Sequence, residues 1–199
     1  VERVITAAGL AFSVRGGVRP NPRLSFAREA VREAIDFEAD FLLAVGGGSV
    51  IDTAKAIAHG TANPETDIWD FWSGKKELKK SLPVGVILTL PAAGSETSDS
   101  SVLTNEETGE KAGLPSPFNR PTFAILNPEL AFSLSSPQLA AGIADIVMHT
   151  LERYMTHTEG NEFTDLLAEA LLQNVAKYAP IVLAHHKNYE AMSEIMWCG

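Results

Sequence analysis

Residues 41–58 read FLLAVGGGSVIDTAKAIA, and this stretch decides the fold class. Five apolar residues, Phe41 to Val45, run into three glycines and a serine, and a helix-like pattern follows at once from Val50 to about His59. A short continuous apolar run is typical of a parallel strand that is covered on both faces. We therefore expect a buried strand, a turn of small residues and a helix in immediate succession, as in an α/β protein.

The glycine turn, Gly46-Gly47-Gly48-Ser49, has two interpretations. Glycines let a ligand approach the backbone closely, and the free N–H groups at a helix start stabilise a phosphate. The turn is otherwise a tight strand-to-helix connection with Ser49 as the N-cap. Three successive glycines favour the phosphate site, although the G-x-G-x-x-G spacing of the dinucleotide fingerprint fails because position 51 is isoleucine.

Polar residues follow the glycine turn and a second predicted strand. Asp52 lies in the first turn of the helix, where its carboxylate either complements the helix dipole or hydrogen-bonds a ribose or amide near a bound phosphate. The second strand, Val84–Leu90, leads into another turn of small residues around Ser95. Ligands of open α/β sheets bind outside the carboxyl ends of the strands. Thr89 and Ser95 therefore either offer hydroxyls to a ligand or cap backbone groups.

The pattern changes from mixed to all-helical at Asn127-Pro128. Before this point, strands at Ser98–Leu103 and Thr122–Leu126 are separated by a polar loop that contains Lys111, and the alternation of strands with helices predicts a parallel sheet. We predict two tightly packed domains, residues 1–127 and residues 128–199. The helices expected in the second are Gln138–Tyr154 with Ser136 as N-cap, Glu162–Tyr178 ended by Pro180, and Tyr189–Trp197.

Asp145 and His149 are four residues apart in the first of these helices, so they share one face. Their neighbours Ile143, Ile146 and Val147 are apolar, which indicates that much of the helix is buried. A buried carboxylate must be neutralised, either by an internal hydrogen bond to the histidine or by a divalent cation. An Asp-x-x-x-His pair supplies two metal ligands from adjacent helical turns.

Composition narrows the classes of function. The chain of 199 residues is 45% apolar and carries a formal net charge of −9, whereas nucleic-acid binding relies on clustered Lys and Arg. No apolar stretch approaches the roughly 20 residues of a membrane span. We therefore expect the protein to bind neither nucleic acid nor a membrane. The one cysteine, Cys198, fits a reducing, cytoplasmic setting. The start at Val1 and a helix still in progress at Trp197 indicate a fragment of a longer protein.

Five stretches together resemble one enzyme family. In chain order they are FLLAVGGGSVIDTAKAIA, LTLPAAGSETS, FAILNPEL, SLSSPQLAAGIADIVMHTLERY and YEAMSEIMW. The chain resembles the iron-containing (group III) alcohol dehydrogenases, and within them the butanol dehydrogenases and NADPH-dependent aldehyde reductases. The resemblance extends over nearly the whole chain from about Gly16, and GGGSVIDTAK and GIADIVMHTLERY are its most specific parts.

The resemblance implies a Rossmann-like N-terminal domain and a helical C-terminal domain, the architecture also found in dehydroquinate synthase. An NAD or NADP cofactor lies between the domains beside a divalent metal, often iron and sometimes zinc, and the enzyme is expected to be a homodimer. Matched onto this sequence, Gly46, Gly47, Gly48 and Ser49 form the pyrophosphate turn and Asp52 lies near the nicotinamide. Thr89 and Ser95 line the cofactor, Lys111 reaches the nicotinamide ribose, and Asp145 and His149 bind the metal.

Two departures from the family pattern limit what these residues supply. The family metal has two further histidine ligands, which we expect beyond Gly199. The first strand of the family and the turn after it, whose residue discriminates NAD from NADP, are expected before Val1. Ala92 also stands where the family often has threonine.

The implied reaction is hydride transfer between NAD(P)(H) and an alcohol or aldehyde, with the fragment alone inactive. Two alternatives are an NAD- and metal-dependent lyase that resembles dehydroquinate synthase, and a non-enzymatic remnant of the fold.

Overall fold

A parallel sheet of three strands forms the N-terminal half of the protein. In the computed structural model, which describes residues 1–199, the strands are β1 (Leu42–Gly46), β2 (Val84–Leu88) and β5 (Phe123–Leu126), in the spatial order β1-β2-β5. Gly46 pairs with Leu88, so the carboxyl ends of β1 and β2 are level at one edge. The predicted parallel sheet is confirmed, and this edge is where the turns of small residues lie.

Seven α-helices and a β-hairpin complete the chain, with two short 3-10 turns at Pro117–Asn119 and Pro128–Ala131. All strands precede residue 127, and the part that follows is helical, as the sequence predicts. The elements are α1 (Glu2–Ala7), α2 (Leu24–Asp36), α3 (Gly48–Ala62), α4 (Trp69–Trp72), β3 (Ser100–Asn105), β4 (Glu110–Pro115), α5 (Ser136–Tyr154), α6 (Glu162–Ala184) and α7 (Tyr189–Cys198).

Two apolar clusters hold these elements together. The larger one joins one face of the parallel sheet and α3 to the C-terminal helices, so that Val86, Ile51 and Ile146 belong to the same core. The smaller one lies between α2, α3, α4 and β3, and it contains the buried aromatic residues Trp69 and Trp72. Because the larger cluster contains residues from both sides of Asn127, the mixed and helical parts are in tight contact.

The other face of the parallel sheet is largely uncovered in these residues. Val45, Phe123 and Ile125 are 43%, 43% and 48% exposed. The rings of Phe41 and Phe123 stack with centroids 5.9 Å apart over Gly85, where a Cβ atom would collide with both rings. The expectation that the first strand is covered on both faces is therefore wrong for the described chain, in which α3 covers only one face.

The segment between β2 and β5 differs from the prediction of a single strand and a polar loop. β3 and β4 pair antiparallel as a separate two-stranded sheet, with Thr104 opposite Lys111. Lys111 thus lies on a strand rather than in a loop. The exposure of β4 explains why the sequence predicted a loop. One side of this strand is exposed along most of its length, so its residues are as polar as those of a loop.

Two helix boundaries also differ from the prediction. Helix α5 is capped by Ser135 rather than Ser136, through a capping box with Gln138. Helix α6 continues through Pro180 to Ala184, although proline removes one N–H donor and was predicted to end it. The fully buried Val182, beyond the proline, shows why: its packing in the core offsets the local cost of about 3 kcal/mol.

Helix α6 is long and apolar enough, by length and composition, to cross a membrane. It has 23 residues, and only 11% of its most apolar window is buried in the described chain. A helix in the core of a globular protein has the same length and composition, so the expected lack of a membrane partner stays a prediction.

His59 near the end of α3 is buried, and both of its ring nitrogens have a hydrogen-bond partner. Its Nδ1 is 2.8 Å from the hydroxyl of Ser81 and its Nε2 is 2.9 Å from Oδ1 of Asn119. Burial lowers the pKa of His59 from 6.5 to about 4, because the apolar surroundings disfavour the imidazolium ion.

The lowered pKa predicts acid sensitivity. Between pH 6.5 and about 4 the unfolded chain binds a proton at His59 that the folded chain does not. The free energy of unfolding therefore falls as the pH falls through this window, by about 3 kcal/mol in total from this residue. Urea denaturation at several pH values should show a flatter pH dependence for His59→Gln than for the unsubstituted protein. Equal slopes would contradict the assignment.

Gly142 lets α5 approach the chain that follows β2. A Cβ atom at this position would lie within 3.0 Å of the carbonyl oxygen of Pro91 and 3.5 Å from Cδ2 of Leu90. The backbone of α5 and the backbone at Pro91 are therefore in direct contact, and this contact joins the helical part to the carboxyl edge of the sheet.

Gly142→Ala should destabilise the fold, even though alanine is the better helix former. The added methyl group meets backbone rather than a flexible side chain, so we expect a loss of about 1–3 kcal/mol in the free energy of unfolding. Gly16→Ala is the matched control, because nothing lies within 4 Å of its added Cβ. Chemical denaturation measures both, and an unchanged or more stable Gly142→Ala would show that the contact is absent.

Candidate functional site

The glycine turn presents three backbone N–H groups that have no acceptor in the protein. Helix α3 begins at Gly48, and its N-cap Gly47 has an extended backbone and makes no side-chain capping bond. The N–H groups of Val50 and Ile51 donate to the Gly47 carbonyl, but those of Gly47, Gly48 and Ser49 donate to no backbone or side-chain acceptor. Such groups, together with the positive end of the helix dipole, form a site for an anion.

The alternative interpretation of this turn is wrong in one respect, because Ser49 is the second residue of α3 and not its N-cap. The connection itself is tight, since β1 ends at Gly46 and α3 begins at Gly48. Gly46 is buried and packs against Val50, whereas the space around a Cβ at Gly48 is open for 4 Å. The first glycine therefore serves local packing, whereas a Cβ atom at Gly48 would meet no other atom.

Thr89 lies beside the glycine turn. Its backbone N–H donates to the Gly46 carbonyl at 3.1 Å, which joins the ends of β1 and β2. The next residue, Leu90, lies 3.1 Å from a Cβ built at Gly47 and also touches the position of Gly142. Leu90 is thus the point at which the glycine turn and α5 meet.

Asp52 and Ser95 form a hydrogen-bonded pair across the site. The Ser95 hydroxyl donates to Oδ1 of Asp52 at 2.6 Å, and the N–H of Val102 donates to Oδ2 at 3.0 Å. Burial raises the pKa of Asp52, and these two hydrogen bonds act against that rise by stabilising the carboxylate. Both carboxylate oxygens of Asp52 already have a partner in the protein, so in this structure the residue supports the site from beneath.

Lys111 approaches the same place from β4. Its Nζ donates to Oδ1 of Asn21 at 3.1 Å. Its positive charge also lowers the pKa of Asp52, but less than the hydrogen bonds to Asp52 do. Asn21 has a positive φ of 60° between two prolines, which is uncommon for a residue other than glycine. Sequence reasoning missed Asn21 as a neighbour of the site, and Pro20-Asn21-Pro22 was the available signal.

Lys55 is the second residue that sequence reasoning missed. Its side chain is completely buried beneath Asp52 and Ser95, with Nζ 3.1 Å from the Ser95 hydroxyl oxygen and 3.8 Å from Oδ1 of Asp52. The signal was the position of a lysine between Ala54 and Ala56 on the buried part of the helix.

Asp145 and His149 lie together on α5, but they are not buried. Their side chains are 46% and 41% exposed, and His149 Nε2 is 3.7 Å from Asp145 Oδ1, too far for a hydrogen bond. The predicted burial is wrong because Ile143 and Ile146 occupy the core side of the helix, while the pair lies at its border. The internal hydrogen bond that was the alternative to a metal site is absent.

The pair fits a divalent cation as an incomplete set of ligands. A carboxylate oxygen and an imidazole nitrogen 3.7 Å apart are suitable donor types for iron or zinc. No group of three His, Cys, Asp or Glu residues that could hold a metal occurs in the chain. Glu152 is 3.9 Å from Nδ1 of His149, on the nitrogen that does not face Asp145.

Packing brings α5, the helix that carries Asp145 and His149, to the same edge of the sheet as the glycine turn. Asp145 and His149 follow Gly142 by three and seven residues, so they lie on the side of α5 that packs on Pro91. Gly47 and Gly142 both contact Leu90. The glycine turn, the Asp–Ser–Lys network and helix α5 therefore all adjoin the chain segment that follows β2.

Comparison with known proteins confirms the resemblance expected from the motifs. Residues 1–128 match the family model of iron-containing alcohol dehydrogenases, and residues 139–199 match the model of the C-terminal part of that family. A probable NADH-dependent butanol dehydrogenase of Bacillus subtilis is 40% identical over 98% of this chain and 50% of its own length. An NADPH-dependent aldehyde reductase of Escherichia coli is 38% identical over 92% of this chain and 48% of its own.

A solved structure also resembles this chain. The crystal structure of NADH-dependent butanol dehydrogenase A from Thermotoga maritima superposes with a TM-score of 0.95 at 36% identity, over 99% of this chain and 49% of that one. The chain spans about half the length of each of these relatives.

Proposed function

Because the chain belongs to the family of iron-containing alcohol dehydrogenases, we propose that it forms part of a metal-dependent alcohol dehydrogenase or aldehyde reductase that uses NAD(P)(H). The observation that supports the proposal is that Gly47 and Gly142 both lie against Leu90, so that the glycine turn and the helix carrying Asp145 and His149 meet at one edge of the sheet. The substrate class, an alcohol or aldehyde, is consistent with the family.

The dinucleotide binds across the carboxyl ends of β1 and β2. The free N–H groups of Gly47, Gly48 and Ser49 donate to the pyrophosphate, and Gly46 permits the tight turn. Lys111 is directed to the nicotinamide ribose. The hydroxyls of Thr89 and Ser95 lie along the cofactor, and Asp52 orients Ser95 near the nicotinamide end. The cofactor itself carries the hydride.

Asp145 and His149 hold the divalent cation. When bound, the cation supplies Lewis acidity toward the oxygen of the alcohol or aldehyde. Iron fits the family and zinc fits the same donor types. Since two donors are fewer than either ion needs, we expect the 199 residues by themselves to retain metal weakly and to show negligible turnover.

The proposal also includes the location of the protein, its assembly, its partners and its division into domains. We propose a cytoplasmic homodimer that binds neither nucleic acid nor membranes, divided at residue 127 into a nucleotide-binding and a metal-binding domain. The net charge of −9 supports the absence of a nucleic-acid partner. The relatives named above are dehydrogenases and a reductase, which supports hydride transfer over the lyase alternative.

Gly48→Pro in the full-length protein tests the pyrophosphate site. Proline removes the Gly48 N–H, but the first position of a helix accommodates it, and Gly47 already has the extended backbone (φ −94°, ψ −170°) that precedes proline. We expect unchanged stability and at least about tenfold weaker NADH or NADPH binding by calorimetry, the loss of one charge-assisted hydrogen bond. Gly16→Pro, outside the site, is the matched control. Unchanged affinity in Gly48→Pro would exclude the site.

Asp145→Ala in the full-length protein tests the metal site and the reaction. We expect loss of bound metal, measured by elemental analysis, and loss of aldehyde-dependent NAD(P)H oxidation. Asp36→Ala, at an exposed helix end, is the control and should keep both properties. An Asp145→Ala variant that retains metal and turnover would disprove the assignment. Catalytic recycling of NAD without net NAD(P)H consumption would indicate a lyase instead.

A further inference from the structure

The ammonium group of Lys55 lies at the centre of a cage of oxygen atoms. Nζ donates to the carbonyl oxygens of Ser95 at 2.8 Å, Ser98 at 3.3 Å and Ser100 at 2.8 Å, and to the Ser95 hydroxyl at 3.1 Å. The side chain is 0% exposed. A helix side chain thus provides the shared donor for three carbonyls of the segment that follows β2.

Burying this charge is unfavourable, so the contacts around it must compensate. Burial lowers the pKa of Lys55 to about 8, and the nearby acids Asp52, Glu96 and Asp99 act in the opposite direction. Glu96 is itself buried, at 5% exposure. A neutral side chain at position 55 would leave the three carbonyls without this donor.

The caged segment is also attached to the chain that follows β4. The carbonyl of Asp99 accepts from the N–H of Ser116 at 2.8 Å and from Nδ2 of Asn119 at 3.1 Å, and Arg120 donates to the carbonyl of Thr97 at 2.9 Å. Within residues 94–100, the N–H groups of Thr97 and Ser98 donate to Gly94, and the N–H of Ser100 donates to the Ser98 hydroxyl. These are local bonds that shape the turn but do not attach it to the sheet. The attachment to α3 comes from Lys55 and from the bond between Ser95 and Asp52.

We propose that Lys55 is a positioning residue for nucleotide binding: its ammonium group holds residues 95–100 against α3, and thereby places Ser95 and Asp52 where the dinucleotide meets them. The nucleotide part of this inference rests on the function proposed above. The attachment of residues 95–100 to α3 is independent of the proposed function, and it can be measured separately.

The test uses the full-length protein with Lys55→Met, Lys55→Ala and the control Lys79→Met, whose side chain is 78% exposed. Lys55→Met keeps the length of the side chain and removes the charge. Lys55→Ala leaves space for added propylammonium. Thermal unfolding, hydrogen exchange of residues 95–102, the Kd of NADH and NADPH, and the split between kcat and the nucleotide KM are measured for each.

We expect both Lys55 variants to fold, with exchange at residues 95–102 faster by at least about tenfold and unchanged exchange in β1 and β2. The nucleotide Kd and KM should rise at least about tenfold while kcat at saturating nucleotide stays within about twofold. Propylammonium should restore the affinity of Lys55→Ala but not alter Lys79→Met. Restoration is the result that a purely structural role does not give.

Other results overturn the inference. Failure of both Lys55 variants to fold, with or without propylammonium, would make Lys55 a requirement of the core rather than a positioning residue. Unchanged exchange at residues 95–102, or a fall in kcat without a change in KM, would exclude the positioning role. If the unsubstituted protein binds no NAD(P)H, the proposed function fails, and the exchange measurement alone still decides whether Lys55 attaches the segment.

Discussion

The backbone contact between Gly142 and Pro91 is the constraint on which the site depends. A side chain on α5 at this position would collide with the carbonyl oxygen of Pro91, a backbone atom in the segment that follows β2. Because the helix comes this close, Leu90 touches both the glycine turn and α5. The residues that could bind an anion and the residues that could bind a cation are on different elements, and this contact brings them together.

Beneath the site, the protein buries more charge than an apolar core normally contains. Lys55 and Asp52 belong to one hydrogen-bonded network, and the buried carboxyl of Glu96 acts on the ammonium group through its charge. His59, one helical turn beyond Lys55, has a pKa that burial lowers to about 4. Desolvation disfavours every charged member, and the convergent carbonyls and the Asp–Ser bond compensate. A network of this kind has few alternative arrangements, so it gives the surface above it a defined shape.

Local patterns were sufficient to predict the β1–α3 turn, the parallel sheet and the helical second half, because periodicity and glycine placement depend on neighbouring residues. Pro180 was misread, since the packing of Val182 in the core overrides a local helix breaker. The cage around Lys55 could not be predicted from the sequence. Its carbonyl oxygens come from a segment about 40 residues later, and a backbone carbonyl has no side-chain pattern that would indicate its role. The exposure of Asp145 was missed for a similar reason: apolar neighbours in sequence occupy a different side of the helix.

The stacked rings of Phe41 and Phe123 have a practical consequence. They belong to an apolar sheet face between two strands, β1 and β5, that each have an unpaired outer edge in this chain. Free strand edges beside apolar surface act as templates for association between molecules. Handled by themselves, these 199 residues should therefore self-associate as their concentration rises, and sulfate should promote this because it is excluded from protein surfaces. Low concentration and low salt are the conditions that favour their purification in a dispersed form.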